Sequence, residues 1–335
     1  MKEDEQEACI SLRELLSDAV KKNNAEALLL SGGLDTSILA ALSNDGNKSK
    51  KALTVALAGT HAPDIDYAKR VAQKFHFEHH LIRITESEAL REIPMVIRAV
   101  RSFDPALPND LVIYAALQEV KQLGIKSVMT GDGADELFAG YSYMHELSQE
   151  ELKTYITALS QLMWFSSNKL GAFLGVEIKQ PYCERAIIDF ALDLDSGFKI
   201  KERDGRRYGK WLLRRAFEGE LGVVAWREKE PIEFGSGTTK LRDVIRGNIS
   251  DTEFEQKKRG YGMEFMNKEH LFFYEIYKKV VGEVPKAKEE ENACPLCKTG
   301  LPEDKFHCTI CGFSYPLVKR DGSMQNAECK LKNAK

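Results

Sequence analysis

No stretch of this 335-residue chain is apolar for the length a bilayer demands, which excludes a membrane-spanning helix. The first residues, Met1-Lys2-Glu3-Asp4-Glu5-Gln6-Glu7, are acidic and have no apolar core, so they cannot serve as a signal peptide. An excess of positive charge is also missing. The 48 Lys and Arg stand against 51 Asp and Glu, a net of −3, which argues against a general binder of polyanions. Cysteine is sparse outside one place: of seven, four lie in a short C-terminal segment at paired spacing. That is the pattern of a metal site rather than a disulfide framework, and it points to a reducing compartment. The expectation is a cytoplasmic protein with no membrane partner. A hydrophobic share of 43 % leaves enough apolar residues for one large α/β domain plus a small appendage.

Strand and helix patterns alternate along the chain. Residues 5–22 carry Ile10, Leu12, Leu15, Leu16, Ala19 and Val20 at helical spacing. Leu28-Leu29-Leu30 reads as a short buried strand, Ala52 to Leu57 as a second, His79 to Ile84 as a third and Ser127 to Thr130 as a fourth. Helices are predicted over 64–75, 87–100 and 111–123, the last closed by Gly124 as a C-cap. Such alternation implies a doubly wound parallel sheet, whose ligands bind where the C-terminal ends of the strands open into loops.

Two of those loops are rich in glycine. The first strand runs into Ser31-Gly32-Gly33-Leu34-Asp35-Thr36-Ser37, after which an apolar helix begins. Glycines let the backbone turn tightly and approach a ligand closely. The free N–H groups of a helix start face an anion. A carboxylate such as Asp35 at the mouth of a phosphate nest implies a bridging Mg²⁺, since like charges would otherwise repel. The spacing is not that of the Walker loop, and the plainer alternative is an ordinary glycine turn. The fourth strand runs into Gly131-Asp132-Gly133-Ala134-Asp135-Glu136, where two glycines and three carboxylates crowd six positions. A capped helix start with solvated acids would explain it alone. Its place on the same sheet edge as the first loop favours a joint site.

Together the two loops resemble those of the asparagine synthetase family, in its synthetase domain of the ATP pyrophosphatase (PP-loop) type. The resemblance rests on SGGLDTS at 31–37 and GDGADELFAGY at 131–141, and it continues downstream. Leu174 to Tyr182, Lys210 to Phe217 and Trp226-Arg227-Glu228-Lys229-Glu230 follow further family segments in order, so it covers about residues 10–250. The resemblance implies an adenine nucleotide alpha hydrolase-like fold with a helical C-terminal part. It implies an ATP-dependent ligase that adenylates a carboxylate, releases pyrophosphate and passes the acyl group to ammonia or another amine. Residue by residue, Ser31, Gly32, Gly33, Asp35, Thr36 and Ser37 match the pyrophosphate loop. Leu30 and Val55 fall where the family presents backbone to adenine, and Gly131 falls near the ribose. Asp35 and Asp135 match the Mg²⁺ carboxylates. Asp132 matches the acid that manages protons, and Lys229 the catalytic lysine. Without the family context, Lys229 in its charged run would read as a solvated surface residue.

Two departures bear on the reaction. Full-length members begin with a glutaminase domain led by an N-terminal cysteine, whereas here the pyrophosphate loop lies about thirty residues in. Such a domain is therefore not expected, and the nitrogen is expected from free ammonia, another amine or a separate ammonia-supplying protein. Cys9 and Cys183 read as packing residues. The family's TTIRAS-like stretch, which shapes the aspartate pocket, is replaced by Asp104-Pro105-Ala106-Leu107-Pro108-Asn109-Asp110. Asn109 at or near the place of the pocket arginine removes a bidentate partner for a carboxylate, which argues against aspartate as substrate. Asn109 and Asp110 become candidates for contacts to another acid.

The organisation expected is a synthetase-like domain over 1–282, a charged linker over 283–293, a zinc ribbon over 294–315 and a tail over 316–335. Cys294-x-x-Cys297 and Cys308-x-x-Cys311 give four thiolates, a closed structural site for Zn²⁺. So short a segment relies on its metal to fold. His307 reads as a surface residue. From 283 to 335, nine Lys and Arg meet eight Asp and Glu, which is not the footprint of a nucleic-acid module. Clamping a substrate entrance or building a homodimer are roles open to the ribbon. The rival to the ligase is a PP-loop enzyme that adenylates a tRNA or other nucleic-acid base. The lack of a basic face and the presence of GDGADE and Lys229 weigh against it. A dead scaffold is disfavoured because Asp35, Asp135 and Lys229 are all present.

Overall fold

A computed structural model describes residues 3–44, 50–301 and 307–314. In chain order the elements are α1 (Glu3–Lys22), β1 (Ala27–Leu29), α2 (Leu34–Ser43), β2 (Lys51–Leu57), α3 (Asp64–Lys74), β3 (Glu78–Ile84), α4 (Glu86–Val100), α5 (Leu107–Gln122), β4 (Ser127–Met129) and α6 (Ala134–Leu137). There follow α7 (Gln149–Leu162), α8 (Ser166–Leu174), β5 (Glu177–Lys179), α9 (Arg185–Asp193), β6 (Lys201–Arg203), β7 (Arg206–Tyr208), α10 (Trp211–Leu221) and α11 (Ile232–Gly235). The last are α12 (Lys240–Gly247), α13 (Asp251–Tyr261), α14 (Lys268–Val280), β8 (Asn292–Ala293) and β9 (Gly300–Leu301). The chain forms two compact units, residues 1–88 with 112–239 and residues 89–111 with 240–335.

The first unit is built on a five-stranded parallel sheet of order β3-β2-β1-β4-β5. β1 pairs with β2 on one side and with β4 on the other, so the direction of winding reverses between β1 and β4. That reversal opens a crevice at the carboxyl ends of these two strands, where the two glycine loops begin. β2 is buried along nearly its whole length, as a strand covered on both faces must be. The core gathers Leu12 and Leu16 of α1, Ile38 and Leu39 of α2, and Leu212, Leu213 and Phe217 of α10, all fully enclosed. Cys9 lies in this core, as expected of a packing cysteine.

The second unit is organised around Phe103. Its ring lies against those of His270, Tyr274 and Tyr277 at centroid distances of 5.1, 5.3 and 5.2 Å. The four cysteines of the appendage belong to this unit.

Two expectations are corrected. α5 begins at Leu107 rather than near 111, so Asn109 and Asp110 stand in its first turn and not in a connecting stretch. Pro108 misleads there: in a first helical turn its missing N–H costs nothing. The segment assigned as a linker is partly ribbon. Asn292 and Ala293 pair with Leu301 and Gly300, and the Ala287 N–H donates to the Lys298 carbonyl at 3.0 Å. The charge run that suggested a linker, Lys288 to Glu291, is exposed and immediately precedes that pairing. The tail over 316–335 lies outside the described residues.

Gly32 has φ +68°, and a Cβ there would collide with the backbone N of Ala68 and lie 2.6 Å from Tyr67 Cβ. Gly33 has φ −72°, and its Cβ would meet only the Ser31 hydroxyl, at 3.2 Å. Gly32→Ala should therefore cost about 2–4 kcal/mol in denaturant unfolding, from overpacking and left-handed strain, and Gly33→Ala distinctly less. Equal losses would contradict the assignment of Gly32 as the close-approach position.

Candidate functional site

The first loop is drawn tight by its own side chains. Ser31 Oγ accepts from the Gly33 N–H and lies 3.2 Å from Thr36 Oγ1. Gly33 is the N-cap of α2, offers no side chain, and leaves the first N–H groups of the ten-residue helix without a side-chain partner at the cap. Ser37 is fully enclosed, its hydroxyl without a partner among the described residues. Leu30 is buried; its N–H donates to Leu53 O at 2.8 Å, and its carbonyl accepts from the Thr54 hydroxyl at 2.6 Å. One lone pair of that carbonyl remains. Val55 lies in the part of β2 beyond its last pair with β1, Leu29 with Leu53, and packs on Ala115 and Ala116.

The second loop meets the first directly. A Cβ on Gly131 would stand 3.1 Å from Asp35 Cβ and 3.2 Å from Thr36 Cγ2, so the bare Gly131 lets the two loops close on each other. Asp132 is anchored: its Oδ2 accepts from Thr130 Oγ1 at 2.7 Å, Ser167 Oγ at 2.6 Å and Gln180 Nε2 at 2.9 Å. No hydrogen bond to its Oδ1 is found among the described residues. Cys183, whose thiol is pushed up to about 12 by burial, donates weakly to the Asp132 carbonyl and so packs beneath this loop.

Asp35 and Asp135 converge on one ammonium. Lys210 Nζ stands 2.6 Å from Asp35 Oδ2 and 2.6 Å from Asp135 Oδ1, and Lys229 Nζ stands 3.0 Å from Asp135 Oδ2. Lys210 is 3 % exposed, against 36 % for Lys229. Burial alone would disfavour the charged forms of Asp35, Asp135 and Lys210. Burial raises the Asp35 carboxyl, with neighbouring Asp135 adding to it and Lys210 opposing it. For Asp135 the burial effect is outweighed by two ammoniums, and its carboxyl is held below the ordinary value. Burial would discharge Lys210, but its two carboxylates overcome that and hold it charged. Asp35 Oδ1 is buried with no hydrogen-bond partner among the described residues, an open acceptor of the kind a cation takes.

Three further side chains brace the site. Tyr182 donates its hydroxyl to the Asp35 carbonyl at 3.1 Å. Arg227 donates to the Ser31 carbonyl at 3.2 Å and to Asp64 Oδ1 at 2.6 Å, and stacks over Tyr67 at 4.2 Å. Buried Arg214 donates to the carbonyls of Ala225 and Arg227 at 2.6 and 2.9 Å, which pins the loop that carries Lys229.

Sequence reasoning brought the two loops and Lys229 together but gave Lys210, Arg227 and Tyr182 no role. Lys210 caps the start of α10 with φ +56°, where a cation opposes the helix dipole and a non-glycine residue is strained. A lysine in that place needs a strong anionic partner.

In the second unit the four cysteines are buried and their sulfurs lie within 4.8 Å of one another. Cys294 and Cys311 sulfurs are 3.5 Å apart, those of Cys297 and Cys308 3.7 Å. Tetrahedral thiolates about 2.3 Å from a Zn²⁺ would be spaced about 3.8 Å, so the set fits a closed four-thiolate metal centre. The second knuckle is tied to the chain before α5. Phe103 N–H and Ser102 Oγ both donate to the Ile310 carbonyl, at 2.7 and 3.1 Å. The bare Cα of Gly312 (φ +78°) faces the Asp104 carboxylate, and His307 Nε2 lies 3.7 Å from Asp104 Oδ2. His307 stands outside the sulfur cluster, half-exposed.

A parallel sheet of this strand order, with glycine loops meeting at its switch point, defines a doubly wound α/β fold. The chain belongs to the asparagine synthase family, whose match runs over residues 11–163 and 147–294. It is 28 % identical over 277 residues to a probable asparagine synthetase [glutamine-hydrolyzing] of Dictyostelium discoideum, covering 74 % of this chain and 50 % of that protein. It is 29 % identical over 299 residues to asparagine synthetase B [glutamine-hydrolyzing] of Escherichia coli (strain K12), covering 80 % and 53 %. The chain thus spans about half the length of the curated relatives it matches. Among solved structures it is similar to NMN synthetase from Francisella tularensis, at a TM-score of 0.28 and 18 % identity over 68 % of this chain and 96 % of that one, a likeness too slight to bear on function. The family makes the matched residues an ATP-utilising domain of the asparagine synthetase type. Among the described residues, no helix is long and apolar enough to cross a membrane.

Lys210→Met leaves two buried carboxylates facing each other and should cost about 3–5 kcal/mol near neutral pH. Lys229→Met, at a partly exposed pair, should cost less than about 1 kcal/mol. With the ammonium gone, burial holds both carboxyls above their unfolded values. Such groups cost stability at high pH and cease to do so below the unfolded value. The Lys210 deficit in chemical denaturation should therefore shrink as the pH is lowered; a deficit that grows would contradict the charge argument.

Proposed function

We propose that the chain is an ATP-dependent carbon–nitrogen ligase that adenylates a small carboxylate, releases pyrophosphate, and passes the acyl group to ammonia or another amine. The observation that carries this reading is the meeting of the two glycine loops at the switch point around the Asp35–Lys210–Asp135–Lys229 cluster. In this reading the open N–H groups at the start of α2, with Ser31, Gly32, Gly33, Thr36 and Ser37, cradle the pyrophosphate of ATP. Leu30 and Val55 offer backbone to the adenine, and Gly131 leaves room beside the ribose. Asp35 and Asp135 hold Mg²⁺, which when bound neutralises charge on the departing pyrophosphate. Two carboxylates suit Mg²⁺, which keeps water and substrate phosphate in its remaining positions.

Lys229, partly in solvent and ion-paired only to Asp135 among the described residues, is the ammonium that turns to the α-phosphate as the acid attacks it. It stays with the tetrahedral intermediate as the amine displaces AMP. Asp132 takes the proton of the amine through Oδ1, the oxygen its three hydrogen bonds leave over. The loss of the family's arginine at or near Asn109 favours an acid other than aspartate. The nitrogen comes as free ammonia, an amine, or ammonia from a separate protein. Zn²⁺ in the four-cysteine centre is structural.

The test is exchange of labelled pyrophosphate into ATP, screened over small carboxylic acids. Exchange should depend on the acid and fall at least a hundredfold in Asp35→Ala, with one zinc per chain retained. AMP release with tRNA and no exchange with any small acid would overturn the reading in favour of base adenylation. A second measurement follows the ribbon. Stripping the metal with a mercurial and chelator should speed amide hydrogen exchange at Phe103, whose N–H donates to Ile310, while Leu53 in the sheet keeps its rate. Unchanged exchange at Phe103 would contradict a structural metal.

A further inference from the structure

The cluster at the loop junction is balanced: two carboxylates, two ammoniums. Its centre is held firmly. Lys210 donates its backbone N–H to Phe138 O at 2.8 Å, and its Cε lies against the bare Cα of Gly140, where any Cβ would strike both Lys210 and the Asp135 carboxylate. The ammonium therefore takes the space between Asp35 and Asp135 that a shared cation would use. Among the described residues, no third carboxylate, imidazole or thiol joins those two aspartates in a metal-sized group. A free divalent cation arriving here would find both carboxylates already paired, an ammonium of its own sign between them, and too few oxygens.

Resting on the reading above, we propose that Lys210 is the resident counter-ion of the two-aspartate site. It closes the site to free divalent cations, so that Mg²⁺ loads only together with a polyphosphate. The phosphates supply what the protein lacks. They add negative charge that offsets the ammonium, and oxygens that complete the coordination of the metal. Asp35 Oδ1, buried and without a hydrogen-bond partner among the described residues, is an acceptor left for the ion. Lys210 is thus a positioning residue for metal loading, distinct from Lys229, which lies on the exposed side of the same pair.

The test is electron paramagnetic resonance of Mn²⁺ with the full chain in its zinc-loaded form. Without nucleotide, wild type should take up no more Mn²⁺ than Asp35→Asn. With an ATP analogue uncleavable between the α- and β-phosphates, one Mn²⁺ per chain should bind at least tenfold tighter than to the analogue alone. Lys210→Met should bind Mn²⁺ without nucleotide at least tenfold tighter than wild type, and Lys229→Met should not. Lys210→Gln, which keeps a donor, takes its place if the methionine variant does not fold. One Mn²⁺ per wild-type chain without nucleotide, lost in Asp35→Asn, would overturn the counter-ion proposal and leave the nucleotide site standing. No Mn²⁺ in wild type even with the analogue would overturn both.

Discussion

The ammonium between Asp35 and Asp135 is the constraint on which the first unit depends. Each aspartate arrives on a different glycine loop, one after β1 and one after β4, and the two loops approach until Gly131 touches Asp35. That approach forces two carboxylates into a dry space where they would repel. A buried like-charge pair is tolerable only with a cation of good geometry between them. Lys210, brought from the start of α10, supplies it at 2.6 Å to each. The left-handed backbone of Lys210, the bare Gly140 and the α10 contacts to the core all follow from the need to place that one ammonium.

The frame was legible in the sequence because it rests on local patterns. The alternation of apolar runs with helical spacing announced the parallel sheet. The two glycine–carboxylate runs announced loops at its carboxyl edge. Lys229 was legible only through the family segment that carries it. Lys210, Arg227 and Tyr182 were not assigned roles because their meaning lies in partners 175, 163 and 147 residues away. No spacing rule reaches across such distances. Asp132 showed as an acid in the right loop, but the three donors that fasten its Oδ2 come from Thr130, Ser167 and Gln180, and only the folded chain brings them together. The start of α5 was misplaced for a simpler reason, since Pro108 and the turn at Asp104 imitate a loop.

In the second unit the metal ribbon and the segment before α5 are stitched by main-chain and side-chain bonds to a single carbonyl, that of Ile310. The aromatic packing of Phe103 on α14 completes the same seam. A ribbon with a small core of its own thus shares a larger one. The bonds that hold it also hold the residues that lead into Asn109 and Asp110.

That seam joins stretches of chain 208 residues apart. During synthesis the Phe103 segment leaves the ribosome long before its partner exists. At about 5–20 residues per second the interval is roughly 10–40 seconds. For most of that interval the apolar Phe103 side chain has neither α14 nor the ribbon to cover it, and β4 and β5 of the first sheet must be made meanwhile. The second unit is closed by the last-made of its described parts, so a nascent chain halted before Cys308 has α14 to cover the Phe103 ring but lacks the Ile310 carbonyl that takes the Phe103 N–H and the Ser102 hydroxyl.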